Sequence, residues 1–253
     1  MSVGIVLFEL TTASTLDYYQ QLAGLLRNPI CYGRDVSHGE GQPVLLIPGF
    51  FAGDWIMAPM ARWLKRIGYR PYHSGIDLNL GCPREKLEKL EARIKGIVSE
   101  GHGRVAIIGH SLGGVMARSI GIGIPEAVSH VIGLGSPISN DWESINHEVR
   151  PLMQSVAGLW QRIAGAPAEC GTAQCRCGFA RLLEMSLRDS NAFTSIYTRE
   201  DEVLDWRTCL DQSGRNYEVG GRHIGLIVNR EVYTLIATVL SAALNPPKAS
   251  LSA

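Results

Sequence analysis

Val105-Ala106-Ile107-Ile108 runs without interruption into Gly109-His110-Ser111-Leu112-Gly113-Gly114 and then into Val115-Met116-Ala117-Arg118. The apolar run reads as a strand and the residues after the glycines as a helix, so the chain reverses direction within a few residues. A turn this sharp strains the backbone of its central residue. Side chains two positions to either side would collide, which is why Gly109 and Gly113 are needed there. Ser111 is thereby lifted above the carboxyl edge of the sheet, over a helix N-terminus that favours negative charge.

The rest of the chain repeats the strand-then-helix alternation. Pro43 to Pro48 encloses the run Val44-Leu45-Leu46-Ile47, which has the continuous apolar character of a strand buried on both faces. Similar runs follow at Val131 to Leu134 and, more weakly, at Phe193 to Tyr197. Between them lie helical stripes. Ile56, Met60, Trp63, Leu64 and Ile67 form one, with Asp54 as its expected cap. Leu87, Leu90, Ile94, Ile97 and Val98 form another, with Glu85/Lys89 and Glu91/Lys95 as i, i+4 pairs on the wet side. Residues 5 to 26 also read as helical, up to Asn28-Pro29. This order predicts an α/β chain: a mostly parallel central sheet with helices on both faces and right-handed crossovers. With no internal repeat and no linker, residues 1–253 are expected to form one domain. Within it, 1–42 is an N-terminal helical segment, and 138–190 is an insertion of helical and irregular character that suits a lid or cap.

Composition excludes other classes. The 253 residues carry 24 basic and 24 acidic side chains, which is not the balance of a nucleic-acid binder, whose affinity comes from a basic face neutralising phosphates. At 45% apolar and 19% charged, the chain can bury a core. No apolar run approaches the roughly 18 residues that span a bilayer. The first ten residues lack a basic n-region, so a cytoplasmic location is expected. Cys170, Cys175 and Cys177 cluster and could bind a metal as thiolates. They lack paired C-x-x-C spacing and an evident fourth ligand, so neither a metal nor a cofactor is expected.

A serine is a poor nucleophile until a base takes its proton and a carboxylate orients that base. Gly109 to Gly113, between a strand and a helix, is the G-x-S-x-G nucleophile elbow, and from about Pro43 to Ala243 the chain resembles the α/β-hydrolase superfamily. The resemblance implies the α/β-hydrolase fold and the chain order nucleophile, acid, histidine. Three histidines follow Ser111. His130 adjoins the far end of a strand and His147 lies in the insertion. His223 sits in Gly220-Gly221-Arg222-His223-Ile224-Gly225, just before the last amphipathic stretch (Leu226, Ile227, Val232, Leu235, Ile236), where the superfamily carries its base. His110, although next to Ser111, points away from it on an elbow and reads as structural.

For the acid, Ser195-Ile196-Tyr197-Thr198-Arg199-Glu200-Asp201 resembles the lipase pattern of a strand ending in Ile-Tyr, followed four residues later by the triad aspartate. That selects Asp201. Asp205 is the main competitor, with Glu200 and Glu202 behind it. The interval from Asp201 to His223 leaves room for a short helix and a last strand. An oxyanion requires donors, typically two backbone N–H groups. The resemblance assigns them to Leu112 and to Phe50, in Ile47-Pro48-Gly49-Phe50-Phe51-Ala52-Gly53, although Pro48 stands where lipases often have histidine.

Ser111 as nucleophile disfavours the haloalkane dehalogenases and epoxide hydrolases, which attack through a carboxylate. The short segment before Val44 leaves little room for the two antiparallel strands that open many family members. This layout resembles bacterial triacylglycerol lipases and related esterases, and implies a serine hydrolase of apolar acyl esters. Phe51, Trp55, Leu159 and Trp160 are the candidate substrate-binding residues, with Phe50, Leu152 and Val156 as further acyl-pocket or lid candidates. An amphipathic helix equally buries such a stripe as core. The expected partner is a small-molecule or lipid ester. A thioesterase or acyltransferase would use the same residues, and a catalytically silent binding protein on this fold is a third reading.

Overall fold

The computed structural model describes residues 3–138, 142–164 and 193–244. Its elements in chain order are α1 (Val3–Arg27), β1 (Pro43–Ile47), α2 (Ala58–Arg66), β2 (Arg70–His73), α3 (Pro83–Ile97), β3 (Val105–His110), α4 (Leu112–Gly123), β4 (Val128–Leu134), α5 (Arg150–Ala164), β5 (Phe193–Tyr197), β6 (Arg215–Glu218) and α6 (Arg230–Leu244). The strands form one sheet in the order β2-β1-β3-β4-β5-β6, and every neighbouring pair is parallel.

The continuous apolar runs are central strands with both faces covered. In β1, Val44 and Leu46 join one core, built with Trp63 and Leu64 of α2 and Tyr233 and Ile236 of α6. Leu45 and Ile47 join the other, with Leu90 and Ile94 of α3 and Val115, Met116 and Ile120 of α4. The period-two alternation of side chains in a strand thus sorts the aliphatic residues between two layers of helix. The Trp63 and Tyr233 rings meet at 4.5 Å between centroids, and the Trp63 indole N–H donates to the Ile30 carbonyl at 2.8 Å.

The outer strands are different. β2 is Arg-Pro-Tyr-His and β6 is Arg-Asn-Tyr-Glu, polar and half exposed. They occupy the two edges, where Pro71 is tolerated and no apolar pattern is required.

Two local expectations are corrected. Asp54 does not cap a long helix: Gly53 precedes a short 3₁₀ turn (Asp54–Met57), after which α2 begins. The Asp54 carboxylate instead accepts from the Ser74 amide and hydroxyl and from the Gly75 amide, pinning the segment after β2. On α3 the ion pair at i, i+4 spacing is Arg84–Glu88 at 3.0 Å, rather than the pairs starting at Glu85 and Glu91.

From β1 the chain crosses through α2 to β2 on one side, then returns through α3 to β3 on the other. The carboxyl ends of β1 and β3 therefore flank the point where strand order reverses. Open parallel sheets bind ligands at such a point. Ile47 and Gly109 are partners in register there, so the turns after β1 and β3 emerge side by side.

Candidate active site

The turn after β3 has the geometry its glycines imply. Ser111 adopts φ 53°, ψ −123°, a left-handed conformation costly for a residue with a Cβ. A Cβ on Gly109 would lie 2.3 Å from the Gly113 carbonyl group, and one on Gly113 would lie 2.3 Å from the Ile47 carbonyl oxygen. A side chain on Gly109 would push α4 off β3, and one on Gly113 would push it off the end of β1. The first intrahelical bonds of α4 run from the Gly114 and Val115 amides to the Ser111 carbonyl. The amides of Leu112 and Gly113 thus come before the first bonded turn, at the positive end of the helix.

The turn after β1 packs directly on this elbow. A Cβ on Gly49 would meet the Ser111 Cβ at 3.1 Å and His110 Nδ1 at 2.9 Å. Phe51 is held at φ 57°, and its N–H donates to the Asn79 carbonyl at 3.1 Å. Asn79 is buried; its side-chain amide donates to the Pro48 carbonyl at 2.8 Å and its main-chain N–H to the Ala52 carbonyl at 2.7 Å. Asn79 therefore braces both ends of the turn that carries Phe50. Sequence reading missed it, because nothing near residue 79 signals contact with residue 48.

His223 and Asp201 come together from the two loops that follow β6 and β5. The His223 Nδ1–H donates to Asp201 Oδ2 at 2.6 Å, and both side chains are nearly inaccessible to water. Asp201 Oδ1 accepts from the Val203 and Leu204 amides at 2.9 and 2.8 Å, so both carboxylate oxygens are held. Gly135, after β4, lies against the pair: a Cβ there would be 3.2 Å from His223 Nδ1 and 3.3 Å from Asp201 Oδ2. Asp205, the competing acid, caps the short 3₁₀ helix Trp206–Cys209 by accepting from the Arg207 amide. It also pairs with the exposed Arg207 guanidinium.

Burial opposes the charged form of His223. The Asp201 charge and hydrogen bond, joined by Glu202, outweigh that penalty and raise its pKa above the ordinary 6.5. His110 lies beside His223, with ring centroids 4.7 Å apart and planes tilted by 50°. Burial, reinforced by His223, pushes the His110 pKa down to about 3. Two adjacent histidines thus have opposite tendencies, one toward the cation and one fixed as the neutral ring.

Of the candidate substrate residues, Phe51 (57% exposed) and Trp55 (68%) stand out from the turn after β1. Leu159 and Trp160, neighbours on α5, separate. Leu159, 59% exposed, lines a 540 Å³ recess along α5 with Pro151, Gln154 and Arg162. Trp160 lines a different recess of 280 Å³ with Asp77, Lys86 and Lys89, and its indole nitrogen lies near Gly81. Leu152 and Ile163 are also exposed, so within the described residues the α5 stripe is not core. Cys170, Cys175 and Cys177 and most of the insertion lie outside the described residues. Among the described residues, no group of His, Cys, Asp and Glu could hold a metal ion, and no helix is long and apolar enough to cross a membrane.

A family model described as the alpha/beta hydrolase fold matches residues 100–208, which include Ser111 and Asp201. No curated protein matches by sequence. Among solved structures, the chain is similar to the Bacillus licheniformis lipase BlEst2 in its mature form, at 14% identity and TM-score 0.57, covering 81% of this chain and 94% of that one. It is similar to a Paleococcus ferrophilus monoacylglycerol lipase, at 13% identity and TM-score 0.53, covering 81% and 97%. A thioesterase domain from the curacin biosynthetic pathway matches at 16% identity and TM-score 0.50, covering 81% and 93%. At these identities the likeness is one of fold. With the parallel sheet, the elbow after its third strand and this match, the chain has the α/β-hydrolase fold.

Proposed function

We propose that the protein is a serine hydrolase that cleaves carboxylic esters with apolar acyl groups through an acyl-serine intermediate. The observation that carries this reading is the buried Asp201–His223 pair, brought against the strained elbow that presents Ser111. In the proposed reaction, His223 Nε2 takes the Ser111 proton as Oγ attacks the ester carbonyl. The Phe50 and Leu112 amides donate to the developing oxyanion, the Leu112 amide with the added field of the α4 N-terminus. His223 then protonates the leaving alcohol. Asp201 keeps the Nδ1–H tautomer and stabilises the imidazolium, and a water deprotonated by His223 releases the acid. Phe51 and Trp55, exposed beside the oxyanion turn, are the proposed contacts for the apolar acyl chain.

The test is covalent labelling with a fluorophosphonate probe, followed by turnover of p-nitrophenyl esters of increasing acyl length. The expected result is a single adduct on Ser111 in the wild type. Ser111→Ala is expected to give no adduct and to lower turnover by about 10⁴-fold or more. A wild type that neither labels nor turns over would overturn the reading. Acyl-CoA substrates supply the thioester arm, which the thioesterase among the structural neighbours makes worth running. Faster turnover of thioesters than of matched oxoesters would reassign the substrate class without changing the residues.

A further inference from the structure

The loop that carries His223 is rich in glycine (Gly220, Gly221, Gly225) and has little stiffness of its own. Its backbone groups are nevertheless taken up by side chains from elsewhere. Thr198 Oγ1–H donates to the Gly221 carbonyl at 2.6 Å, and Asn229 Nδ2–H donates to the Gly220 carbonyl at 2.8 Å. The Arg222 N–H donates to Asp17 Oδ2 at 2.9 Å. His223 itself is gripped on both sides of its Cα: its N–H donates to Glu202 Oε2 at 3.2 Å, and its carbonyl accepts from His110 Nε2–H at 3.0 Å.

Two of these contacts lead back to α1. The second Glu202 oxygen accepts from the Ser14 hydroxyl, and Asp17 lies one helical turn further along. Gln21, on the same face, accepts from Asn229 Nδ2 at 3.1 Å. The fit is close: a Cβ on Gly225 would fall 2.1 Å from Asp17 Oδ2, and one on Gly221 would fall 2.6 Å from Gln21 Nε2.

We propose that Glu202 and His110 are positioning residues for His223, holding its peptide N–H and carbonyl from opposite sides, with α1 as the frame that fixes Glu202 through Ser14 and the loop through Asp17. The inference rests on the ester-hydrolase reading in one respect: it makes His223 the base. Asp201 sets the tautomer of the ring, whereas Glu202 and His110 set where the ring stands. The depressed pKa of His110 fits this role, because a neutral ring with its proton on Nε2 donates to the carbonyl without adding a second positive charge beside His223.

The test compares Glu202→Ala with Glu202→Gln. Glutamine keeps an oxygen for the His223 N–H and an amide that can donate to Ser14, but it removes the charge. The titratable groups facing His223 are Asp201 and Glu202 on the loop after β5 and His110 at the end of β3, with Asp17 of α1 on the neighbouring amide. Glu202→Ala is expected to lower kcat by about tenfold or more on a p-nitrophenyl ester, with KM within about threefold. Glu202→Gln is expected to recover most of kcat while the acid limb of the pH–rate profile moves to lower pH, since one stabiliser of the imidazolium is gone. Asp17→Ala is expected to follow Glu202→Ala.

The inference is overturned if Glu202→Ala keeps kcat within about twofold, or if Glu202→Gln is as impaired as Glu202→Ala. Should Glu202→Ala fail to fold, Ser14→Ala loosens the same grip from the α1 side: a fall in kcat of about threefold or more supports the proposal and an unchanged kcat overturns it. A readout independent of substrate separates this inference from the hydrolase reading. The His223 Nδ1 proton, short-bonded to Asp201, should give a strongly deshielded NMR resonance in the wild type. Its loss in Glu202→Ala with retention in Glu202→Gln supports positioning even in a protein that cleaves no ester, and its persistence in both overturns it.

Discussion

Asp201 and Asp205 are four residues apart and carry the same functional group, yet their surroundings give them different work. Asp201 is sealed between two backbone amides and an imidazole, whereas Asp205 caps a 3₁₀ turn beside an exposed arginine. Asp201→Asn is expected to lower kcat by about 10⁴-fold, because an amide at that position favours the wrong imidazole tautomer. Asp205→Asn is expected to leave kcat within about twofold and to cost about 0.5 kcal/mol or less in stability, since asparagine caps almost as well. Steady-state kinetics on the two variants, with denaturant unfolding of the second, decides the assignment. The raised pKa of His223 carries its own prediction: kcat/KM should rise with pH through a midpoint above 6.5. The linked stability runs the other way. The folded protein favours the imidazolium, so this contribution is fully present below the ordinary imidazole pKa and is lost as pH rises through the higher folded one. Measuring kcat/KM and the unfolding midpoint across pH 5 to 9 should show these opposite slopes above pH 6.5.

At the scale of elements, the turn after β1 and the segment after β2 act as one unit. Asp54 holds Ser74 and Gly75, and Asn79 then holds Pro48, Phe51 and Ala52. In the proposed mechanism the Phe50 amide is an oxyanion donor, and the turn that carries it is braced by this lattice, with Pro48 where lipases often have histidine. Asn79→Ala is therefore expected to lower kcat by about tenfold or more with little change in KM, the signature of weakened oxyanion stabilisation. Stability should fall by about 1 to 3 kcal/mol, since the buried carbonyl of Pro48 loses its donor. Single-turnover acylation of the variant, monitored with an activated ester, checks the kinetic half of the prediction. The helical stripes of α2 and α3 were legible because burial on a sheet imposes the 3.6-residue period. The edge strands β2 and β6 were not, because an edge needs no apolar alternation. Only a last strand somewhere between Asp201 and His223 was expected. The role of Asp54 was misread for a related reason: a cap is a local signal, and its carboxylate was claimed by partners 20 residues away.

At the scale of the molecule, Arg118 of α4 and Asp211, ahead of β6, form a buried pair at 3.8 Å, with the guanidinium 6.0 Å from the Phe193 ring centroid. This ties the elbow helix to the segment that leads into the edge strand β6. Asp211→Asn keeps the shape but leaves the arginine facing a neutral amide, and is expected to lower unfolding stability by about 3 kcal/mol in urea titration. Catalytic parameters should stay within about twofold, because neither group touches the site. The sequence alone determined the central strands, the alternation that makes a parallel sheet and the elbow that carries Ser111. Each of these rests on short-range physics: side-chain period, apolar runs buried on both faces, and glycines where a Cβ cannot fit. Through resemblance and chain order it also pointed to Asp201 and His223 as the candidate acid and base. Only the tertiary structure brought those two within 2.6 Å and placed Glu202 on the His223 N–H and His110 on its carbonyl. It alone joined α1 to a loop some 200 residues away in the chain and split Leu159 from Trp160. Polar side chains choose partners by direction and desolvation, and neither exists until the chain has folded around them.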